Sequence, residues 1–410
     1  MGIFKGCNKV KFMEIITEQC TGCRACEQLC PKHCITMKPD KEGFLTAEIN
    51  QESCINCGLC AKRCPQNRDD LQKNKPLETW AARLRNDEVL YQSASGGVFA
   101  GIALRFLHDG GAVFGVRWDE DYRAIHCKVE TELNLWPLLS SKYVQSDTQH
   151  TFSEVKASLL AGRKVLYSGT GCQIAGLKTY LNKEYDNLIT IDLVCHGVPS
   201  PLLFQKYIEL LTAKHKARIE GYDFRDKRDG WGLGYKYKYK YKYKYGASTL
   251  DPYFSHFLLG DIYRMCCYNC KYANTKRCGD ITIADYWGIE HCHPEFFNSK
   301  GVSLVLVNSE KGKRVWELVR KDFYALRSTI ENAIKENRNL KEPTPLNMQT
   351  RANVYEGINT MSPKDFFALR LPIHPNYMER LKGLMPRFIK KGVKKFLKQI
   401  NCNKHHISKD

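Results

Sequence analysis

Cys20-Thr21-Gly22-Cys23-Arg24-Ala25-Cys26-Glu27-Gln28-Leu29-Cys30-Pro31 is answered further along by Cys54-Ile55-Asn56-Cys57-Gly58-Leu59-Cys60-Ala61-Lys62-Arg63-Cys64-Pro65. Both runs have the spacing Cys-x2-Cys-x2-Cys-x3-Cys-Pro of a two-cluster 4Fe-4S ferredoxin, where the first three cysteines wrap one cube and the fourth reaches the other. On that rule Cys20, Cys23, Cys26 and Cys64 hold one cluster, and Cys54, Cys57, Cys60 and Cys30 hold the second. Gly22, Ala25, Gly58 and Ala61 let the backbone close around the sulfurs, and each proline ends its run. Zinc sites rarely use four cysteines per run in this crossed spacing. Between the runs, residues 35–37 and 44–49 read as short strands around the turn Asp40-Lys41-Glu42-Gly43. Cys7 and Cys34 fit neither set and read as free thiols.

Working outward, the whole chain has 410 residues, too many for one core, so a small module and one or two larger ones are expected. Of its 19 cysteines, ten lie within the first 64 residues at metal-ligand spacing, which argues for metal binding over a disulfide scaffold. No stretch approaches a membrane span, and the first residues lack a secretory signal pattern, so a cytoplasmic location is expected. The formal charge is +19. Three clusters at about −2 each would leave roughly +13, which still favours an acidic redox donor or acceptor protein.

Downstream, strands alternate with helices, the pattern of an α/β domain with a mostly parallel sheet; the expected fold class is thus an α+β ferredoxin-like module followed by that domain. Ser93-Ala94-Ser95-Gly96-Gly97 opens an apolar helix and is followed by a strand at 112–118. Ser95, Gly96 and Gly97 at a helix start suit a phosphate such as the FAD pyrophosphate, although a plain helix cap has the same letters. Lys164–Ser168 reads as a strand, Gly169-Thr170-Gly171 as a turn and 172–181 as a helix; a second strand at 188–194 runs into Cys195-His196-Gly197. Cys172 and Cys195 therefore stand at the carboxyl ends of strands, where open α/β sheets bind ligands. Cys266-Cys267-Tyr268-Asn269-Cys270 adds a pair, and with it four thiolates are available for a third 4Fe-4S centre. Spacing does not choose between Cys266 and Cys267, though Cys267 gives the two-residue gap to Cys270.

The chain resembles the coenzyme F-420 hydrogenase/dehydrogenase beta-subunit family in its version fused to an N-terminal two-cluster ferredoxin. The residues that carry the resemblance are those around Ser95-Gly96-Gly97, Ser141-Lys142-Tyr143-Val144-Gln145-Ser146, Gly169-Thr170-Gly171-Cys172-Gln173, Asp192-Leu193-Val194-Cys195-His196 and the strand ending at Asp285. Gly171 replaces a usual proline and Ala284 a usual glycine. The resemblance implies FAD and a third cluster on Cys172, Cys195, Cys267 and Cys270. It also implies cofactor contacts from Ser95, Gly96, Gly97, Lys142, Tyr143, Gln145, Gly169, Thr170, Gly171, Gln173 and Asp285. Clusters carry single electrons and a flavin converts these to pairs, so the expected activity is an oxidoreductase acting on a small-molecule two-electron substrate. That substrate is F-420-like or unknown, with polysaccharide metabolism one setting; the alternative is a non-catalytic electron-transfer subunit.

The expected modules are the ferredoxin at 10–68, the two parts of the beta-subunit-like domain at 78–160 and 161–345, and a helical basic tail at 346–410. His196 is a proton donor or a neighbour of a cluster sulfur, and no residue is assigned a catalytic role. Residues 235–245 alternate Tyr and Lys and read as one strand with all tyrosines on one face; with no nucleic-acid fold signature beside it, no nucleic acid is expected. Within the tail, 383–400 reads as an amphipathic basic helix, suited to an anionic membrane surface or to docking on the protein itself.

Overall fold

The computed structural model describes residues 19–71 and 75–373. Cys7 and the basic helix expected over 383–400 lie outside the described residues. No helix among those described is long and apolar enough to cross a membrane.

The first sheet is the hairpin of β1 (Ile35–Pro39) and β2 (Leu45–Ile49), as the turn residues imply. After it come β3 (Glu78–Leu84), β4 (Ala112–Trp118), β5 (Ala124–Val129), β6 (Val165–Thr170) and β7 (Leu188–Leu193). Next are β8 (Ile219–Asp223), β9 (Gly234–Tyr239) and β10 (Lys242–Ala247), followed by β11 (Ile281–Asp285), β12 (Ser303–Val307) and β13 (Phe323–Ser328). The main sheet has the order β13-β3-β12-β11-β7-β6-β4-β5. Parallel pairing is confined to its centre, β11-β7-β6-β4. β5 returns on β4 by a tight turn, and β12, β3 and β13 add antiparallel strands at the other side. The expectation of a mostly parallel sheet is thus corrected to a mixed sheet with a parallel core. Short returns such as that between β4 and β5 can join only antiparallel neighbours, whereas the parallel steps need a crossover helix.

Period-two alternation divides this sheet between two cores. Leu166, Ile189, Ile191, Ile281, Val305 and Val307 point to the side covered by the helices Val98–His108 and Glu310–Val319. Phe114, Val165, Tyr167 and Leu188 point to the other, under the helices Thr151–Leu160 and Gly171–Leu181. Buried on both faces, the central strands are the apolar runs seen in the sequence.

The Tyr and Lys repeat is not one strand. Lys240 and Tyr241 take positive φ, and the chain folds back so that β9 pairs with β10 and β8. In the pairing Tyr243 opposes Lys238 and Tyr245 opposes Lys236. Directly opposed residues share a face, so the turn breaks the expected tyrosine face into two. Tyr235 and Tyr237 enter an aromatic core with Phe204, Tyr222, Phe224 and Tyr253, while Tyr243 stays 54% exposed.

His126 on β5 is fully buried, stacks on Tyr167 and donates from Nε2 to the Ser168 carbonyl at 3.2 Å. Burial pushes its pKa down to about 4. An unfolded histidine titrates near 6.5, so the folded chain binds fewer protons below that pH. The stability this group supports is intact above pH 6.5 and is lost as pH falls toward 4, by up to roughly 3 kcal/mol. Denaturant melts of the parent and of His126→Gln across that window should diverge, the variant losing less on acidification. Parallel curves sink this reading.

Candidate iron–sulfur sites and the wall between them

Both cysteine runs turn through left-handed backbone, with φ +71° at Gly22 and +69° at Gly58. The Gly22 N–H donates to Cys20 Sγ at 3.4 Å, and Asn56 N–H donates to Cys54 Sγ at 3.4 Å, the same local arrangement in each run. Short helices, Ala25–Leu29 and Leu59–Lys62, then carry Cys26 and Cys60. The result brings Cys20, Cys23, Cys26 and Cys64 around one pocket of about 400 Å³, floored by Met37 and Pro65, with Cys60 at its edge. Burial, reinforced by the charges of Cys64 and Cys20, pushes the Cys23 thiol up to about 12. Crowded buried thiolates need cations, and four of them around one pocket are the donor set of a 4Fe-4S cube. Cys30 and Cys54 share the small core beneath the hairpin with Cys60, and Cys57 is exposed. Cys34, read from sequence as a free thiol, lies in that same core with its Sγ 3.4 Å from Cys30 Sγ.

A second set of thiols forms where strands end. Thr170 pairs with Leu193 across β6 and β7, which brings the chain ends after these strands level with one another. Thr170 caps the helix Gly171–Leu181 in a box with Gln173, so Cys172 sits on its first turn, and Cys195 follows β7. The 3-10 turn Met265–Asn269 comes over the same edge. Together Cys172, Cys195, Cys266, Cys267 and Cys270 line a pocket of about 630 Å³. Cys266 and Cys267 are both close neighbours of Cys195 and Cys270, and Cys267 also packs with Tyr268 against the aromatic core. Cys267 also donates to Cys266, and mainly for that reason Cys266 is held down at about 7 despite its burial. Cys278 is buried elsewhere, among Tyr272 and Leu177.

Thr21 and Gln66 line both pockets. This thin wall is pinned from the larger domain on each side. Gln145 Nε2 donates to the Thr21 carbonyl at 3.2 Å and its Oε1 accepts from the Leu45 N–H at 3.2 Å. Arg264 donates to the Cys20 carbonyl at 2.7 Å and to the Leu45 carbonyl at 2.8 Å. Lys271 Nζ donates to the Gln66 carbonyl at 3.1 Å, and the Tyr272 hydroxyl to that of Pro65 at 3.1 Å. Thr148 Oγ1 donates to the Cys23 carbonyl, and an Arg24–Asp147 ion pair and an Arg351–Glu42 ion pair complete the seam. A Cβ on Gly176 would stand 3.0 Å from Cys23, so the helix bearing Cys172 needs glycine there to seat the module so closely.

Residues 162–332 match the family described as the C terminus of the coenzyme F420 hydrogenase/dehydrogenase beta subunit, and residues 19–68 match a 4Fe-4S dicluster domain. The chain thus carries a segment similar to the C terminus of that beta subunit, with a 4Fe-4S dicluster domain ahead of it. A chain of the xenon-derivatised F420-reducing [NiFe] hydrogenase complex from Methanosarcina barkeri is similar over 67% of this chain and 90% of its own, at 14% identity and a TM-score of 0.46. Curated proteins offer no match.

Within the larger domain, most residues expected to touch a flavin are engaged by the protein itself. The Gly96 N–H donates to Ser303 Oγ at 2.9 Å, a Cβ there would meet the Ala82 carbonyl at 2.2 Å, and Ser95 Oγ donates to the Val302 carbonyl at 2.9 Å. These are the marks of a chain pressed on strands β3 and β12, and they give Gly96 a packing reason to be glycine. Gly97 caps the helix Val98–His108 with φ 78°. Lys142 Nζ donates to the carbonyls of Pro137 at 2.9 Å and Leu139 at 2.8 Å, and burial pushes it down to about 8. Gln173 Nε2 donates to Ser146 Oγ at 2.9 Å, and Gln145 is taken by the seam. Thr170 and Gly171 lie at the wall of the thiol pocket, but Gly169 packs against Gln173.

Asp285 is held by both arms of Arg225, at 2.6 and 2.8 Å, and by Trp231 Nε1 at 2.8 Å. Burial alone would raise this carboxyl, but the adjacent guanidinium holds it below its ordinary value. Arg225 also donates to the Tyr143 hydroxyl at 3.1 Å, and Trp231 stacks flat on Trp287 at 4.9 Å. Lys227, beside this group, is pushed down to about 7 by burial and by Arg225, and donates to the carbonyls of Leu90 and Ser95. Sequence reading missed Thr21, Gln66, Arg225 and Arg264, because nothing in their neighbours along the chain marks them as wall, anchor or clamp.

Proposed function

We propose that this chain is an iron–sulfur electron-transfer protein whose three 4Fe-4S centres stand in line: an outer one on Cys54, Cys57, Cys60 and Cys30, a middle one on Cys20, Cys23, Cys26 and Cys64, and an inner one on Cys172, Cys195, Cys270 and one of the pair Cys266 and Cys267. The observation that carries this reading is the pair of side chains, Thr21 and Gln66, common to the two thiol-lined pockets. A cluster passes one electron at a time, and two neighbouring centres separated by a single pinned wall need no domain motion between transfers. Cys266 and Cys267 both line the inner pocket, and one of them completes the inner set with Cys172, Cys195 and Cys270.

An external carrier meets the outer centre, where Cys57 and Ile55 are exposed, Ile55 at 57%, and Lys32 and Lys62 stand open to solvent. These lysines and the chain's +19 charge suit an acidic protein donor or acceptor. At the inner end, FAD would convert single electrons to a pair for an organic substrate. Of the residues expected to seat it, Ser95, Gly96, Lys142 and Asp285 are engaged by the protein's own hydrogen bonds, and no step is routed through it. That engagement favours the electron-transfer subunit, serving a separate enzyme, over a self-sufficient flavoenzyme.

Anaerobic purification with iron, acid-labile sulfide and flavin measured on one sample tests both points. About twelve irons per chain and no stoichiometric flavin are expected. About eight irons would remove the inner centre, and one tightly bound FAD per chain would restore the flavoenzyme reading.

A further inference from the structure

We propose that Cys34 is a tuning residue of the outer centre, its S–H hydrogen-bonded to the ligand sulfur of Cys30, and that this bond raises the reduction potential of that centre. The inference rests on the reading of the N-terminal module as a cluster carrier. Cys34 is not a stray surface thiol. Its Sγ is 3.4 Å from Cys30 Sγ, it is 7% exposed, and Cys54, a second expected ligand of the same centre, is within its reach. Ile35, Met37 and Ala47 close over it, and the Asn50 N–H donates to its carbonyl at 2.8 Å, so its backbone is fixed at the foot of β1.

Chemistry fixes the direction of the bond. A cysteine bound to iron is a thiolate and has no proton to give, so Cys30 accepts and Cys34 donates. Reduction by one electron makes a cluster more negative, and a donor at a ligand sulfur stabilises that form more than the oxidised one, which raises the potential. The other run has no counterpart. Four residues after Cys64 stands Arg68, whose guanidinium is paired with Asp70. Two centres built from the same repeated run are thereby made unequal in the hydrogen bonding of their ligand sulfurs.

The experiment is an EPR-monitored redox titration of the full chain, parent against Cys34→Ala and Cys34→Ser, with iron counted on each sample. The Ala variant should keep its iron and show one centre shifted to lower potential while the others stay in place. Serine keeps a donor, so its centre should remain near the parent value. Unmoved potentials in the Ala variant overturn the proposal, and so does loss of about four irons, which would make Cys34 a ligand. A parent that holds fewer than about eight irons overturns it together with the cluster reading, whereas full iron with an unmoved potential overturns the tuning role alone.

Discussion

A Cys64→Ser chain should purify with about four fewer irons than the parent, and a protein donor should no longer reduce its inner centre. Cys64 lies in the second run, but its sulfur lines the pocket of the first, together with Cys20, Cys23 and Cys26. That pocket is the one that shares Thr21 and Gln66 with the inner thiols, so losing its cluster removes the middle of the line. Dithionite, small enough to reach each centre by itself, should still reduce the other two. Cys292→Ser is the control, since Cys292 packs near the Tyr286 hydroxyl and lines neither thiol pocket. An unchanged iron count in Cys64→Ser sinks the ligand assignment; a donor that still reduces the inner centre at the parent rate sinks the order of the line.

Arg225→Met should strongly destabilise the larger domain. The guanidinium is buried, bridges Asp285 and Tyr143, and faces Trp287 at 5.6 Å. Removing one partner of a buried ion pair leaves a charge uncompensated and typically costs about 3–5 kcal/mol. In a domain of this size that is a fall in Tm on the order of 10 °C. The pH dependence separates this cause from simple loss of packing. In the parent, Asp285 is held below its ordinary value, so the stability it contributes is present at neutral pH and is lost as pH falls through that depressed value. Without Arg225, burial outweighs the remaining hydrogen bond from Trp231 and the carboxyl rises. The variant should then gain stability on mild acidification, over the range where the parent does not. The double change Arg225→Met with Asp285→Leu should recover much of the loss. A variant that melts like the parent, or whose loss ignores pH, sinks the argument.

The two cysteine runs, the hairpin between them and the strand-end positions of Cys172 and Cys195 were all legible in the sequence. Each is a local matter: a loop around a cube needs its cysteines at fixed spacing, and a cysteine that follows an apolar run emerges at the end of a strand. Where the reading went astray, local pattern and tertiary need diverge. Gly96 has the letters of a phosphate seat, yet it is glycine because Ala82 and Ser303 leave no space for a side chain. Lys142 looks like a free cation for an anionic cofactor and in fact satisfies loop carbonyls. Tyr and Lys in strict alternation suit a single strand, and only the positive φ at Lys240 and Tyr241 shows that the chain doubles back.

By itself, then, the sequence determined which thiols are available, how they are grouped within each run, and that strands and helices alternate after them. Only the tertiary structure decided which groups meet. The bonds from Arg264 to Cys20 and from Gln145 to Thr21 join residues far apart in the chain, and no periodicity encodes such a meeting. The wall of Thr21 and Gln66 depends on how the folded modules close on one another, and the meeting of Cys172, Cys195, Cys266, Cys267 and Cys270 depends on how the larger domain folds. Spacing along a chain fixes local geometry within a few residues, while docking is settled by the complementary shape and hydrogen bonding of surfaces that exist only after folding.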